Sequence, residues 1–544
     1  MEVRCSPPSP AFFSPDSGIY HSKHSPVSLP HTDLVSYIFS HAHGGVTALV
    51  DARTGSSIAY ADLRRMVSSL ASGLKRIGIT GNDVVLVMLP NSVLFPIIVL
   101  GVISAGAVFS SMNPLSSQEE IKKQMKQCRA SLIMTASDNV PKVRRLGVRI
   151  VAVPDESKFD AGKFALFKNL ISTNPDVDAP RSVIRQTDTA AILFSSGTTG
   201  ASKGVILTHG NLIAAVGLFV RFECSQYDRE SWRDVYLAAI PMFHVYGLAL
   251  FSMGLLSVGS TIVVMRRFDA EEAVRLIDGY KVTHFPVVPP IMASLVRAKR
   301  TTGSRLQSLI QVSSGAAPVS QKSVDDFLGA YPHVDFIQGY GLTESAAVGA
   351  RGFNTLTFRK NKSVGLLAPN MKAKIIDIET GLCLPPGSSG ELLLQGPGIM
   401  KGYLNDENAT SSTIVEDGWL KTGDIAYFDQ DGYLYIIDRL KETIKYKGFQ
   451  ISPADLEAIM ITHPEVADVA VTSAKNEEAG EVPVAFIVRS SGSNLSAKDV
   501  MEFVAKQVAP YKKVRKVVFV NSIPRSAAGK ILRRELRGDS TSRM

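Results

Sequence analysis

The stretch from Ser195 to Gly204 combines Ser and Thr hydroxyls, three glycines and Lys203, directly after the apolar, strand-like run Ala190 to Phe194. These residue types suit one kind of chemistry, the holding of phosphate. Glycines let backbone N–H groups approach an anion, hydroxyls add donors, and a lysine supplies a point charge. The common GxxxxGK[ST] loop requires Ser or Thr after the lysine and a helix to follow. Here Gly204 follows and Val205 to Leu207 has the pattern of another strand, so the loop belongs in a hairpin-like turn. Taken alone, such a turn is more often a plain surface connection.

Four further segments follow in order. They are Gln338-Gly339-Tyr340-Gly341-Leu342-Thr343-Glu344, Lys421-Thr422-Gly423-Asp424, Tyr435 to Lys441 running into Lys445 to Gln450, and Pro524-Arg525-Ser526-Ala527-Ala528-Gly529-Lys530. With all five in place, the chain from about Val35 to Leu536 resembles the adenylate-forming enzymes, which include acyl-CoA synthetases, adenylation domains of peptide synthetases and luciferases. Within them it is most similar to the plant 4-coumarate:CoA ligase group, particularly its peroxisomal ligase-like branch.

The resemblance implies activation of a carboxylic acid by ATP, with Mg2+, to an acyl adenylate and pyrophosphate, followed by displacement of AMP by coenzyme A. It assigns Ser195, Ser196, Gly197, Thr198, Thr199, Gly200 and Lys203 to the β- and γ-phosphates. Gln338, Gly339, Tyr340, Gly341 and Thr343 would line the nucleotide site, with Thr343 at the α-phosphate and Glu344 as the magnesium ligand. Asp424 can accept both ribose hydroxyls, and Arg439 is placed near the same ribose. Lys530 would bridge the attacking carboxylate and the α-phosphate, whereas Lys441 and Lys445 would reach the adenylate after the small domain rotates. Arg267, Lys447 and Gly448 would meet coenzyme A, and His244 would gate the acyl site and assist thioester formation. Tyr246, Leu250, Ser313, Ala316, Gly339 and Val348 would line the acyl pocket. Without the family pattern, the Thr343-Glu344 pair is an ordinary helix cap, Lys530 is part of a basic tail, and His244 is a satisfied core histidine.

The chain departs from its namesakes at two places. Gly390-Glu391-Leu392-Leu393-Leu394-Gln395-Gly396 lacks the cysteine of the GEICIRG segment in true 4-coumarate ligases, and Ser345-Ala346-Ala347-Val348 stands in place of AGPV. Both changes favour a more aliphatic acid, fatty or jasmonate-precursor-like, over a hydroxycinnamate. An oxygenase of the luciferase kind and a non-catalytic adenylate-binding relative are the competing functions. Intact Lys203, Glu344, Asp424 and Lys530 argue against the latter.

These residues need elements to position them. At 544 residues the chain exceeds the usual size of one hydrophobic core. Strand-like runs at Thr47 to Val50, Val84 to Leu89, Leu132 to Thr135, Val148 to Val153, Ala190 to Phe194, Thr261 to Met265 and His284 to Val288 alternate with helical stretches. That alternation predicts an α/β body with parallel sheets. The expected organisation is a flexible extension over 1–34, a large domain over 35–437 with a β-rich part from about 365, and a hinge at 438–441. A small mobile α+β domain over 442–536 and a tail over 537–544 complete it.

Two long uncharged runs, Val84 to Gln118 and Val235 to Met265, are broken by Pro90, Pro96 and Pro114 and by Pro241 and His244. They are expected to be buried core and not membrane spans. Cys5, Cys128, Cys224 and Cys383 are too scattered for a zinc cluster or a disulfide scaffold. The net charge is +9, and from Arg439 onward 18 Lys and Arg face 12 Asp and Glu. No nucleic-acid motif accompanies this excess, so polyanionic small molecules such as ATP and coenzyme A are the expected partners. The final tripeptide Ser542-Arg543-Met544 is like the Ser-Lys-Leu peroxisomal address, implying an import receptor and a peroxisomal location.

Overall fold

The computed structural model of the chain describes residues 12–40, 46–156, 159–172, 184–195, 202–354, 359–446, 449–476, 480–527 and 529–536. Two largely parallel sheets form the centre of the body. In one, Thr189–Ser195, Val108–Ser111, Val84–Met88, Ala130–Ala136 and Arg149–Val153 lie side by side in parallel, and Lys203–Thr208 pairs antiparallel with Thr189–Ser195. The other runs from Asp335–Tyr340 through Gln311–Ser314, His284–Val287, Val235–Ala238 and Thr261–Val264 to Thr47–Asp51. Strands buried on both faces need continuous apolar runs, which is what the expected segments carry.

Both long uncharged runs are divided as their prolines predict. Val84–Met88 and Val108–Ser111 flank the helix Leu94–Ser104, which is buried from Leu94 to Ile103. This helix packs so tightly on Tyr60–Arg76 that a Cβ at Gly101 would stand 2.6 Å from the Leu70 side chain. No helix of the described residues is long and apolar enough to cross a membrane.

A third, antiparallel sheet contains Lys372–Ile376, Gly390–Gln395, Trp419–Phe428 and Leu434–Arg439. Here the expectation of a flexible 1–34 extension fails for the described part. Ile19–His21 pairs antiparallel with Lys372–Ile376, and Phe13–Ser14 pairs with Ile19–His21. Tyr20 is fully buried, stacks on Phe428 at 4.3 Å between centroids, and donates its hydroxyl to Leu384 O at 2.8 Å. An aromatic that fills a core gap and satisfies its hydroxyl fixes the segment in place.

The C-terminal part has its own cores. One, around Ile444, Leu456, Val471, Ile487 and Val504, and a second, around Phe486 and Leu536, are separate from the core of the body. Its sheet contains Ile444–Tyr446, Phe449–Ile451, Gly480–Arg489, Val466–Asn476 and Lys516–Phe519. The connection passes through Asp438, whose carboxylate accepts from Ser452 Oγ at 2.5 Å and Ala454 N at 3.0 Å. That bond ties the last strand of the body to the start of the helix Pro453–Met460.

Candidate active site

A cavity of about 880 Å3 opens where these parts meet. Ser195 and Lys203 enter its wall from one parallel sheet, Gly339 to Thr343 from the end of the other, and Thr422 and Gly423 from the antiparallel sheet. Arg439, Lys441, Ser526 and Lys530 close it from the hinge and the C-terminal part. Ligand sites in open α/β sheets form beyond the carboxyl ends of the strands, and Ser195 and Tyr340 are the last residues of theirs.

Glu344 organises the first side of the cavity. Its Oε1 accepts from Ser195 Oγ at 2.9 Å and from Tyr403 OH at 3.1 Å. Lys203 Nζ lies over the Tyr403 ring at 4.9 Å, and Ser202 Oγ donates to Ser195 O at 3.1 Å. A cation, a carboxylate and two hydroxyls thus converge where Ser195 pairs with Lys203. Ser196, Gly197, Thr198, Thr199 and Gly200, like Lys447 and Gly448, lie outside the described residues.

Asp424 organises the second side. Tyr340 OH donates to its Oδ2 at 2.6 Å, and Arg439 Nε lies 3.3 Å from its Oδ1. Burial pushes the Asp424 carboxyl up from its ordinary range, opposed by Arg439 and the Tyr340 hydroxyl. Lys530 reaches in directly after Gly529, which has φ +78°, and Lys530 N donates to Ser526 Oγ at 3.2 Å. Its nearest carboxylate is Glu442 at 3.9 Å. Burial and the neighbouring Arg439 push the Lys530 ammonium below the usual lysine range, while Glu442 and Asp424 act the other way.

His244 and Tyr246 line the third side, at the start of the helix Val245–Ala249. Asn91 holds the approach to them. Its amide donates to Ile240 O at 3.0 Å and its Oδ1 accepts from Met242 N at 2.8 Å. Burial alone pushes the His244 imidazole down to about 4, so the ring is neutral near pH 7. Leu218, Phe219, Phe222 and Phe353 add apolar wall, and Gly315 and Ala316 border it, the latter at φ +67°. A non-glycine residue in that backbone region is uncommon and is found where the surroundings over-determine it.

The family model for AMP-binding enzymes matches residues 39–404, and the model for their C-terminal domain matches 455–530. The chain belongs to the AMP-binding enzyme family. This AMP-binding enzyme is 56% identical to 4-coumarate--CoA ligase-like 6 of Arabidopsis thaliana, over 97% of this chain and 94% of that protein. It is 43% identical to the Peroxisomal OPC-8:0-CoA ligase 1 of the same plant, over 97% of this chain and 98% of that protein. Among solved structures it is similar to ATP-bound MatB from Rhodopseudomonas palustris, with a TM-score of 0.85 and 25% identity over 94% of this chain and 99% of that one. The reaction class is therefore that of an ATP-dependent acyl-CoA ligase working through an acyl adenylate.

Within this AMP-binding enzyme, several expected site residues do not line the cavity. Leu250, Ser313 and Val348 are 3%, 4% and 0% exposed and lie behind its wall, in the core, which corrects their placement in the acyl lining. Gln338 turns away and donates to Asn361 O at 2.6 Å. Arg267 and Lys445 are exposed outside the cavity, the latter with its backbone N–H on Glu481. Conversely, Tyr403, Phe219, Phe222, Arg351 and Phe353 line it without belonging to any of the five segments. Arg351 carried one legible signal, as the first charge after Glu344.

Proposed function

We propose that this AMP-binding enzyme ligates acids with an aliphatic tail, fatty or jasmonate-precursor-like, to coenzyme A, and that it does so in the peroxisome. The observation that carries the reading is Lys530 entering from the C-terminal part into the cavity that Thr343, Lys203 and Arg439 share, with Asp424 bonded to Tyr340 and Arg439 in its wall. A carboxylate oxygen of the acid attacks the α-phosphorus of ATP, the bond to pyrophosphate breaks, and the acyl adenylate forms. Both reactants are anions, so a fixed ammonium and hydroxyl donors between them lower the barrier where charge builds up. Asp424 holds the ribose, and Thr343 and Lys530 face the α-phosphate.

Among the described residues no group of three or more His, Cys, Asp or Glu could hold a metal. The single carboxylate of Glu344 fits a cation that arrives with the triphosphate, since magnesium commonly joins one or two carboxylates to substrate phosphates. When bound, Mg2+ would supply positive charge at the phosphates. In the second half-reaction the thiol sulfur of coenzyme A attacks the acyl carbonyl carbon and AMP leaves. A neutral His244 can accept a hydrogen bond from the incoming thiol. Lys441, Lys445, Lys447, Gly448 and Arg267 are the residues we assign to this step, which requires the C-terminal part to turn and bring Lys445 inward.

The apolar wall of Leu218, Phe219, Phe222 and Phe353 supports the aliphatic tail. Thioester formation over hydroxycinnamates, fatty acids of graded length and cyclopentanone alkanoic acids tests it. A kcat/KM for 4-coumarate above that for every aliphatic acid would overturn the reading. The name of the OPC-8:0-CoA ligase relative and the tripeptide Ser542-Arg543-Met544, which lies outside the described residues, support peroxisomal import. A fluorescent protein carrying the last ten residues should collect in peroxisomes, and diffuse cytosolic signal would count against the location.

A further inference from the structure

Lys530 enters the cavity from a part of the chain that has its own cores, so its placement depends on how that part is seated on the body. Asp438 makes a seat. It stands in the strand Leu434–Arg439, opposite Ile425 of the body's antiparallel sheet, and is 6% exposed. Its Oδ1 accepts from Arg439 N at 2.7 Å, while its Oδ2 accepts from Ser452 Oγ and Ala454 N of the C-terminal part. Ser452 is the N-cap of the helix Pro453–Met460, so the carboxylate also faces the positive end of that helix. The same helix carries the connection on to Lys530. Glu457, further along it, accepts from Arg533 Nη2 at 3.1 Å, and Arg533 Nε donates to Glu442 Oε2 at 2.8 Å. Arg533 is 8% exposed and follows Lys530 in the same segment. The turn before Lys530 meets the body closely, since a Cβ at Gly529 would stand 3.2 Å from the Val288 side chain.

We propose that Asp438 is a positioning residue, which seats this helix on the body, thereby holds Lys530 in the cavity, and biases the enzyme toward adenylation. The proposal rests on the ligase reading above and deepens it. Lys445 belongs to the strand Ile444–Tyr446, whose partner Phe449–Ile451 runs directly into Ser452. Bringing Lys445 inward therefore carries Ser452 and Ala454 away from Asp438, and hydrogen bonds weaken steeply once distance and angle are lost. The Asp438 bonds thus belong to one orientation only.

The test measures two rates with the acid of highest kcat/KM in the panel above: acid-dependent ATP–pyrophosphate exchange without coenzyme A, and thioester formation from the prepared adenylate of that acid with coenzyme A. Their ratio follows the balance between the two orientations, whichever of them dominates. Hydrogen bonds to a charged group are the stronger kind, so Asp438→Ala should raise thioester formation relative to exchange by about tenfold or more. Ser452→Ala removes one of these bonds, leaves the bond to Arg439 N in place, and should raise the ratio by less. The double variant should match Asp438→Ala, because both substitutions act through one carboxylate. Thermal melting shows which variants fold, and Ser452→Ala decides the matter if Asp438→Ala does not fold. A ratio unmoved or lowered in either folded variant, or effects that multiply in the double variant, would overturn the proposal while leaving the ligase reading intact. A wild-type protein that showed neither rate with any acid of the panel would overturn the ligase reading and this proposal together.

Discussion

The two ends of the cavity differ in how their polar groups are satisfied. At the nucleotide end Asp424 holds Tyr340 and Arg439, Glu344 holds Ser195 and Tyr403, and Lys530 faces Glu442. At the acyl end Tyr246 OH and Arg351 Nε are buried and unpartnered. Preorganised pairing suits a ligand that is the same in every turnover, because the donors need no rearrangement when charge develops. An aromatic wall suits the variable reactant, which it holds by apolar contact without a fixed hydrogen-bond pattern. In the proposed ligase the polar groups of the shared chemistry are thus paired within the protein, and the choice of acid falls to the apolar wall.

The largest expected effect lies at the nucleotide end. Lys530→Ala removes the cation proposed to stand between the two reacting anions and should slow acid-dependent ATP–pyrophosphate exchange by roughly a hundred- to a thousand-fold. It should leave much of the thioester step from supplied acyl adenylate, and Lys445→Ala should do the reverse. Equal loss of both steps in both variants would defeat the division of labour between the two lysines.

The acyl end should show itself next, in stability. Arg351→Met strands the buried Glu223 carboxylate, which accepts from Arg351 Nη2 at 2.7 Å, and should cost about 3–5 kcal/mol in denaturant unfolding, with part recovered by adding Glu223→Gln. A cost near zero would mean the pair is solvated and the wall is not the dry surface described.

A smaller effect separates the ends by pH. Lys530 is held below the usual lysine range by burial and Arg439, and the adenylation step proposed above needs its ammonium. Activity should therefore be present at lower pH and fall, as pH rises, earlier than an ordinary lysine would dictate. Glu442 favours the charged form, so Glu442→Gln should move that alkaline limb to still lower pH. A limb that stayed put or moved up would remove Lys530 as its source. His244, neutral above about pH 4, should contribute no limb near neutrality.

The nucleotide end was legible in the sequence because its residues sit in short segments whose types follow from phosphate and ribose chemistry. Ser195, Lys203, Thr343 and Lys530 do line the cavity, and Asp424 bonds two residues that do. The parallel sheets were legible too, since strands buried on both faces must be apolar throughout. The acyl end was not. Phe219 comes from an irregular helical stretch at Ala215–Arg221 and Arg351 from a two-residue strand, and only tertiary packing brings them together. Leu250 and Val348 were misplaced because an apolar residue close to a motif suits a pocket wall and a core equally well. The segment around Tyr20 escaped for a similar reason, since its pairing partner Ala373 lies far along the chain.

We propose that the described arrangement, with Lys530 inside the cavity and Lys445 outside it, is already assembled for adenylation. Exchange of labelled pyrophosphate into ATP, measured with acid but without coenzyme A, tests it most directly. Acid-dependent exchange with no coenzyme A present is the expected result. Exchange that appeared only once coenzyme A was added would contradict it.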